Sequence, residues 1–299
     1  MTTPPYDVPD LAIRPMRPAD VPAAERLSAE GFHELDGRMA RRSWPEPQPR
    51  SEARGAGWVA RTLHLLDTDP GGCWVAEDAS GLVGVAASFN REKLWCLATY
   101  AVRPGLQGRG IGRSLLAAAL HHGRGSLRGM LSSSSDPRAA RRYRMAGFSL
   151  HPQMNLSGTV DRSAIPVVEK VREGTAGDVE LMDSVDRRAR GAAHGIDHAL
   201  MLGLWRLIVS DTTTGSGYAY LDGTGVALLA ATNRRTAARL LWTALADAGD
   251  EATIPHVTTA NEWAIDVGLA ARLELHTEGY LGLRGMGLPT PYLHHGALL

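Results

Sequence analysis

The sequence predicts an α+β chain of two domains, with strands and helices mixed (α/β mixed) through both halves. Three observations predict it. The length, 299 residues, is that of two ordinary domains. Short apolar runs bounded by turn signals alternate with helical apolar spacings along the chain. The order of signals near the start returns from Val168 onward, a repeat at domain scale.

The elements follow in order. MTTPPYDVPD has neither a basic stretch nor an apolar one, so residues 1–10 read as a disordered tail without a secretory signal. LAIRPMRPADVPAAERL gives a first strand and then Asp20 as a helix cap. CWVAEDASGLVGVAASF reads as a hairpin, its strands Cys73–Ala76 and Leu82–Ala86 flanking the turn signal Asp78 to Gly81. The apolar run Leu94–Val102 is a strand closed by Arg103-Pro104-Gly105. RSLLAAALHH places Leu115, Leu116, Ala119 and Leu120 on one helix face. Asp136 followed by Pro137 opens a further helix over 138–146.

Gln107 to Gly112, QGRGIG, lies between that strand and helix. Gly108, Gly110 and Gly112 permit positive φ and close approach of backbone to a ligand. A helix N-terminus after such a loop presents unpaired amides and a positive dipole end, which suits phosphate. A dinucleotide G-x-G-x-x-G starting at Gly108 needs glycine where Arg113 stands, and a triphosphate loop needs the lysine that Gly112-Arg113-Ser114 lacks. What remains, Q-x-x-G-x-G, resembles the acyl-CoA pyrophosphate loop of the GNAT N-acetyltransferase superfamily. The phrase YAVRPGLQGRGIGRSLL is similar to that family's strand–loop–helix unit, and GMLSSSSDP with ARRYRMAGFSL to the passage that follows it. The resemblance covers about residues 11–160.

A second, altered copy follows. VEKVREGTAGDVELM echoes IRPMRPADVPAAERL, with Asp178 standing for Asp20. GVALLAATNRRTAARLL echoes the loop phrase, and NEWAIDVGLAARLEL echoes DPRAARRYRMAGFSL. In that register TNRRTA, Thr232 to Ala237, has lost all three glycines and Gly268 falls opposite Tyr143. The resemblance therefore implies two GNAT-like domains, 11–160 and 167–299, each a mixed, mostly antiparallel sheet flanked by helices. The second is degenerate, and DRSAIP (Asp161–Pro166) forms the connector.

The family's chemistry carries over onto matching positions. Acetyl-CoA is implied as co-substrate, its pyrophosphate on the backbone of Gln107, Gly108, Arg109, Gly110, Ile111, Gly112 and Arg113. Arg109 and Arg113 offer guanidinium forks to phosphate oxygens. Ala101 and Val102 occupy the strand that pairs with pantetheine and polarises the thioester carbonyl through backbone. Tyr143 stands at the general-acid position that protonates the CoA thiolate. It also lies on the apolar face of its helix with Ala139 and Ala140, so packing is its other reading. The strand glutamate that serves many relatives as base is replaced by Cys96, and Glu92 is too far upstream. Water, Glu34, Asp36, a group of the second domain and the terminal carboxylate of Leu299 remain open. Asp136 stands where the family often has a cofactor-binding asparagine, and reads instead as a cap.

The expected function is acetyl-CoA-dependent N-acetyl transfer to a primary amine of a small molecule or protein, directly in a ternary complex. An acyl-CoA-binding regulatory module without turnover is the alternative. A third reading, catalysis in the second copy, is opposed by TNRRTA.

Formal net charge is zero, which argues against general nucleic-acid affinity, and no run is long enough for a membrane helix. The loop-bearing residues 1–166 carry 21 Lys and Arg against 16 Asp and Glu, the remainder 11 against 16. Cys73 and Cys96 read as buried free thiols, and a cytoplasmic location is the default that follows. His194 and His198 are four apart, but HGIDH lacks the glutamate of H-E-x-x-H. No metal is expected there, and the two are read as lining a loop at the domain contact. The adjacent pairs His121-His122 and His294-His295 point to different faces and chelate poorly. The Pro/Arg-rich segment Ser43–Gly57 lies where the family places its acceptor-binding loop, and reads equally as a surface linker.

Overall fold

A computed structural model describes residues 11–40 and 46–299. The tail 1–10 and the start of the Ser43–Gly57 segment lie outside the described residues. Two compact units emerge: Met1–Asn90 with Trp95–Ser126, and Arg91–Leu94 with Leu127–Leu299.

The first unit runs β1 (Ala12–Pro15), α1 (Val21–Met39), α2 (Glu52–Thr68), β2 (Cys73–Asp78), β3 (Gly81–Arg91), β4 (Leu94–Val102) and α3 (Ile111–His122), with strand order β1-β2-β3-β4. β2 and β3 form the expected hairpin, pairing Cys73 with Ala87 through Asp78 with Gly81. Asp78 Oδ1 accepts the Ser80 amide at 2.8 Å and Gly81 takes φ +102°, the turn chemistry that such a sequence favours. Leu94 to Ala98 of β4 are all buried. α3 lies against β3 at Gly84, where a Cβ would stand 2.6 Å from Leu115 Cδ1. Both cysteines are buried and outside any disulfide, and burial, with the charge of Asp69 second, pushes the Cys73 thiol up to about 12.

The second unit holds β5 (Arg128–Ser133), α4 (Pro137–Met145), β6 (Ser149–Thr159), β7 (Arg172–Glu173), α5 (Val179–Ala189), α6 (Asp197–Leu204), β8 (Arg206–Thr212), β9 (Gly215–Leu221), β10 (Val226–Ala231), α7 (Arg234–Asp247), β11 (Glu251–Val257), α8 (Glu262–Ala270), β12 (Glu274–Arg284) and β13 (Tyr292–Leu293). From β1 to β6 and from β7 to β12 the order is the same: strand, two helices, three strands, helix, strand, helix, strand. The likeness reaches single side chains. Arg14 grips Asp20 at 2.7 and 2.9 Å while Asp20 takes the Arg17 amide; Arg172 grips Asp178 at 3.0 and 2.5 Å while Asp178 takes the Thr175 amide. Asp20 thus closes the 3-10 turn before α1 rather than capping α1 itself.

Strands of the two copies are exchanged. β12 runs antiparallel between β5 and β6, and β6 pairs on its other edge with β11. The compact units therefore do not follow the division 11–160 and 167–299 that the repeat suggests. The connector is fixed as well: the Arg162 guanidinium donates to the carbonyls of Ala246 at 2.6 Å, Ala248 at 2.6 Å and Gly249 at 2.8 Å, at and just beyond the α7 C-terminus. Leu156 of β6 packs in one core with Leu229, Leu240, Leu241 and Trp263. Among the described residues no helix is long and apolar enough to cross a membrane.

Candidate functional site

Eight residues, 103–110, join β4 to α3. Arg103 fastens the start, its amide donating to the Val83 carbonyl at 2.9 Å and its guanidinium to Ser80 Oγ at 2.8 Å and to the Leu82 carbonyl. Gln107 fastens the middle: its Nε2 donates to the Val102 carbonyl at 3.2 Å, and its Oε1 accepts the Gly105 amide at 3.0 Å. The side chain of Gln107 thus braces the loop.

Gly108 and Gly110 have φ of +87° and +92°, conformations costly for any residue with a Cβ. Gly110 is the N-cap of α3 and supplies no side-chain cap. The first closing bond of the helix is Ser114 N–H to the Gly110 carbonyl at 3.2 Å. The amides of Ile111, Gly112 and Arg113 therefore stand at the open, positive end of a twelve-residue helix. Gly112 is small for a packing reason, since a Cβ there would stand 2.3 Å from the Tyr100 hydroxyl. Arg109 and Arg113 are exposed and carry no ion pair among the described residues. A cradle of amides flanked by two uncommitted guanidinium groups suits a diphosphate. Above it, α1 approaches the end of β4, with the Cβ position of Gly31 3.9 Å from the Val102 carbonyl and 4.0 Å from Ala101 Cβ.

The corresponding place in the second copy is closed. Only Thr232 and Asn233 separate β10 from α7, and Asn233 Oδ1 takes the Thr236 amide at 2.9 Å. Asn233 Nδ2 meanwhile donates to the Thr214 carbonyl at 2.9 Å. Alongside, the chain's own β13 pairs with β10, Leu229 with Leu293 and Ala230 with Tyr292. β10 is the counterpart of β4, so its free edge is already occupied by backbone. The sequence showed the lost glycines but gave no sign of this added strand, which comes from some sixty residues away.

Tyr143 lies on α4 in the second unit and is 4% exposed. Asp136 caps that helix, its Oδ1 accepting the Arg138 amide at 2.8 Å, with Pro137 in the first turn. Gly268, opposite Tyr143 in the repeat, leaves the space that Leu156 fills: a Cβ would stand 2.6 Å from Leu156 Cδ2. The candidate bases fare unevenly. Glu92 receives the Arg187 guanidinium at 2.6 to 3.1 Å and the Ala193 amide at 3.0 Å. Leu299 is buried and its oxygen takes Arg190. Glu34 is exposed beside Arg38 at 3.8 Å, and Cys96 is fully buried. His194 and His198 are buried within the second unit, where α5 and α6 meet, and do not line an open loop.

Residues 31–148 match the profile of the acetyltransferase (GNAT) family. No curated protein matches the chain. Among solved structures, a Pyrococcus horikoshii protein provisionally named an acetyltransferase has a TM-score of 0.73 at 18% identity, over 100% of this chain and 98% of that one. A GCN5-related N-acetyltransferase from Sphaerobacter thermophilus has 0.59 at 17%, over 93% and 96%. A tandem GNAT protein from the clavulanic acid biosynthesis pathway has 0.56 at 15%, over 92% and 98%. Residues 31–148 therefore carry a domain of the acetyltransferase (GNAT) family, and the chain has the fold of tandem GNAT proteins over its length.

Proposed function

We propose that the chain is an acetyl-CoA-dependent N-acetyltransferase with one working cofactor cradle, residues Gln107 to Arg113. The observation that carries this reading is the contrast between the two helix N-termini. That of α3 is open behind two left-handed glycines, and that of α7 is capped by Asn233. The amides of Gly108 to Arg113 hold the pyrophosphate, Arg109 and Arg113 add charge-assisted contacts, and Gln107 keeps the loop in shape.

Transfer is direct. The neutral amine attacks the thioester carbonyl carbon while the backbone of Ala101 and Val102 steadies the developing oxyanion. The C–S bond then breaks, the thiolate takes a proton from Tyr143, and the acetylated amine releases one to water. No candidate side chain stands out as base, so a water relay serves best. The acceptor is a primary amine of a small molecule or protein. Nucleic acid and membrane are not partners in this reading, and two cysteines outside any disulfide fit a cytoplasmic protein.

Calorimetric titration of acetyl-CoA against wild type and Gly110→Glu tests the cradle. We expect one site per chain in wild type and loss of binding in the variant. Equal binding by both rejects the loop assignment. The missing β4 carboxylate favours the second reading, an acyl-CoA-binding module without turnover. Release of CoA thiol above background with a panel of amines rejects that module.

A further inference from the structure

The α5–α6 corner of the second unit holds a group of side chains that the transfer reaction does not use. Asp183 and Asp186 lie three apart on one face of α5, His194 follows in the connecting turn, and His198 lies in the first turn of α6. Asp186, His194 and His198 are at most 1% exposed, and donor atoms of the three lie within 4.8 Å of one another. Asp186 Oδ2 is 2.7 Å from His194 Nδ1 and 3.5 Å from His198 Nε2, and Asp183 Oδ1 is 3.3 Å from His198 Nε2.

We propose that Asp186, His194 and His198, with Asp183 as a fourth donor, form a buried transition-metal site suited to zinc. Three observations converge. First, His198 Nε2 is buried with no hydrogen-bond partner among the described residues, although it is aimed at two carboxylates. A buried polar atom left so calls for an ion or a bond that the side chains do not supply.

Second, the far atoms of two donors are already held. The Tyr218 hydroxyl donates to Asp186 Oδ1 at 2.6 Å, and the Tyr220 hydroxyl lies 3.1 Å from His198 Nδ1. Such outer contacts fix ligand orientation around a metal.

Third, Asp183 Oδ1 is held in place as well, accepting the Gly195 amide at 2.9 Å while it faces His198 Nε2.

Zinc bonds of about 2.0–2.1 Å in a tetrahedron put donor atoms about 3.3 Å apart. The two His198 distances match, and the Asp186–His194 distance must open by about 0.6 Å as a hydrogen bond gives way to two metal bonds. His194 Nδ1 then gives up its proton to solvent. His194 Nε2 is 3.1 Å from the Leu298 carbonyl, so the ion would tie α5 and α6 to the last turn of chain.

The test uses the full chain, purified without chelator, incubated with zinc and dialysed. Elemental analysis should give one zinc per chain, and cobalt titration should give the visible absorption of a tetrahedral site. His198→Gln, with unchanged circular dichroism, should lose at least about tenfold in zinc affinity. His256→Gln, at the half-buried ring stacked on His294, should keep full content. Less than stoichiometric zinc in wild type, or zinc affinity in His198→Gln equal to wild type, overturns the proposal and leaves a hydrogen-bonded Asp–His network.

Discussion

Gln107 ties the cradle to the strand it leaves, with its Nε2 on the Val102 carbonyl at 3.2 Å. Its Oε1 closes the same clasp on the Gly105 amide. Gln107→Ala removes two hydrogen bonds of about 1 kcal/mol each from a partly exposed loop. The loop should then sample other shapes, and acetyl-CoA affinity should fall roughly 5- to 30-fold by calorimetry, since each 1.4 kcal/mol is tenfold. Thermal stability should change little. An unchanged affinity would show that the glycines alone set the loop.

Asn233→Ala should separate stability from binding. The variant loses a side-chain cap on α7, which costs about 1 kcal/mol, and should lower the urea midpoint. Acetyl-CoA binding should keep its stoichiometry and affinity, because the proposed cradle is at α3. Loss of binding in this variant would point to a second functional site.

Tyr143→Phe removes only a hydroxyl from a buried ring. If that hydroxyl delivers the proton to the thiolate, kcat should fall about 10²- to 10⁴-fold with acetyl-CoA affinity kept. Turnover at the wild-type rate would leave Tyr143 as a packing residue of α4.

The Arg14–Asp20 pair sets a pH dependence. The hydrogen bond from Arg14, followed by the Arg17 amide, outweighs burial and holds the Asp20 carboxyl below its ordinary value. A depressed folded-state pKa means that the pair's stabilisation is complete above the unfolded value of about 3.9 and is lost as pH falls through the lower, folded one. Asp20→Asn should therefore be less stable than wild type at pH 7, and the gap should close as the pH falls below about 3.9. Urea midpoints across that range measure it, and a constant gap would assign the effect to packing.

Much of the fold and of the cradle was legible because the signals are local. Glycine at 108 and 110 marks a backbone bend, the turn signal Asp78 to Gly81 marks the β2–β3 hairpin, and Asp136-Pro137 marks a helix start. The repeat also showed, since Asp178 stands for Asp20 in two phrases of like pattern. Asp20 misled by a few residues, because a carboxylate that caps a 3-10 turn resembles one that caps the helix after it. HGIDH carries only a spacing along the chain, whereas Asp186 and Tyr218 reach His194 and His198 through folding.

By itself the sequence determined the glycine-rich loop, the order of the elements and the lack of those glycines in the second copy, all of which depend on neighbours a few positions apart. Only the tertiary structure decided the rest. That β12 enters between β5 and β6, that β13 covers β10, and that Asp186 meets two histidines are choices among edges and faces of equal local character. Such pairings are settled by which strand edges and apolar faces are left unsatisfied in the assembled fold. No periodicity along the chain records them.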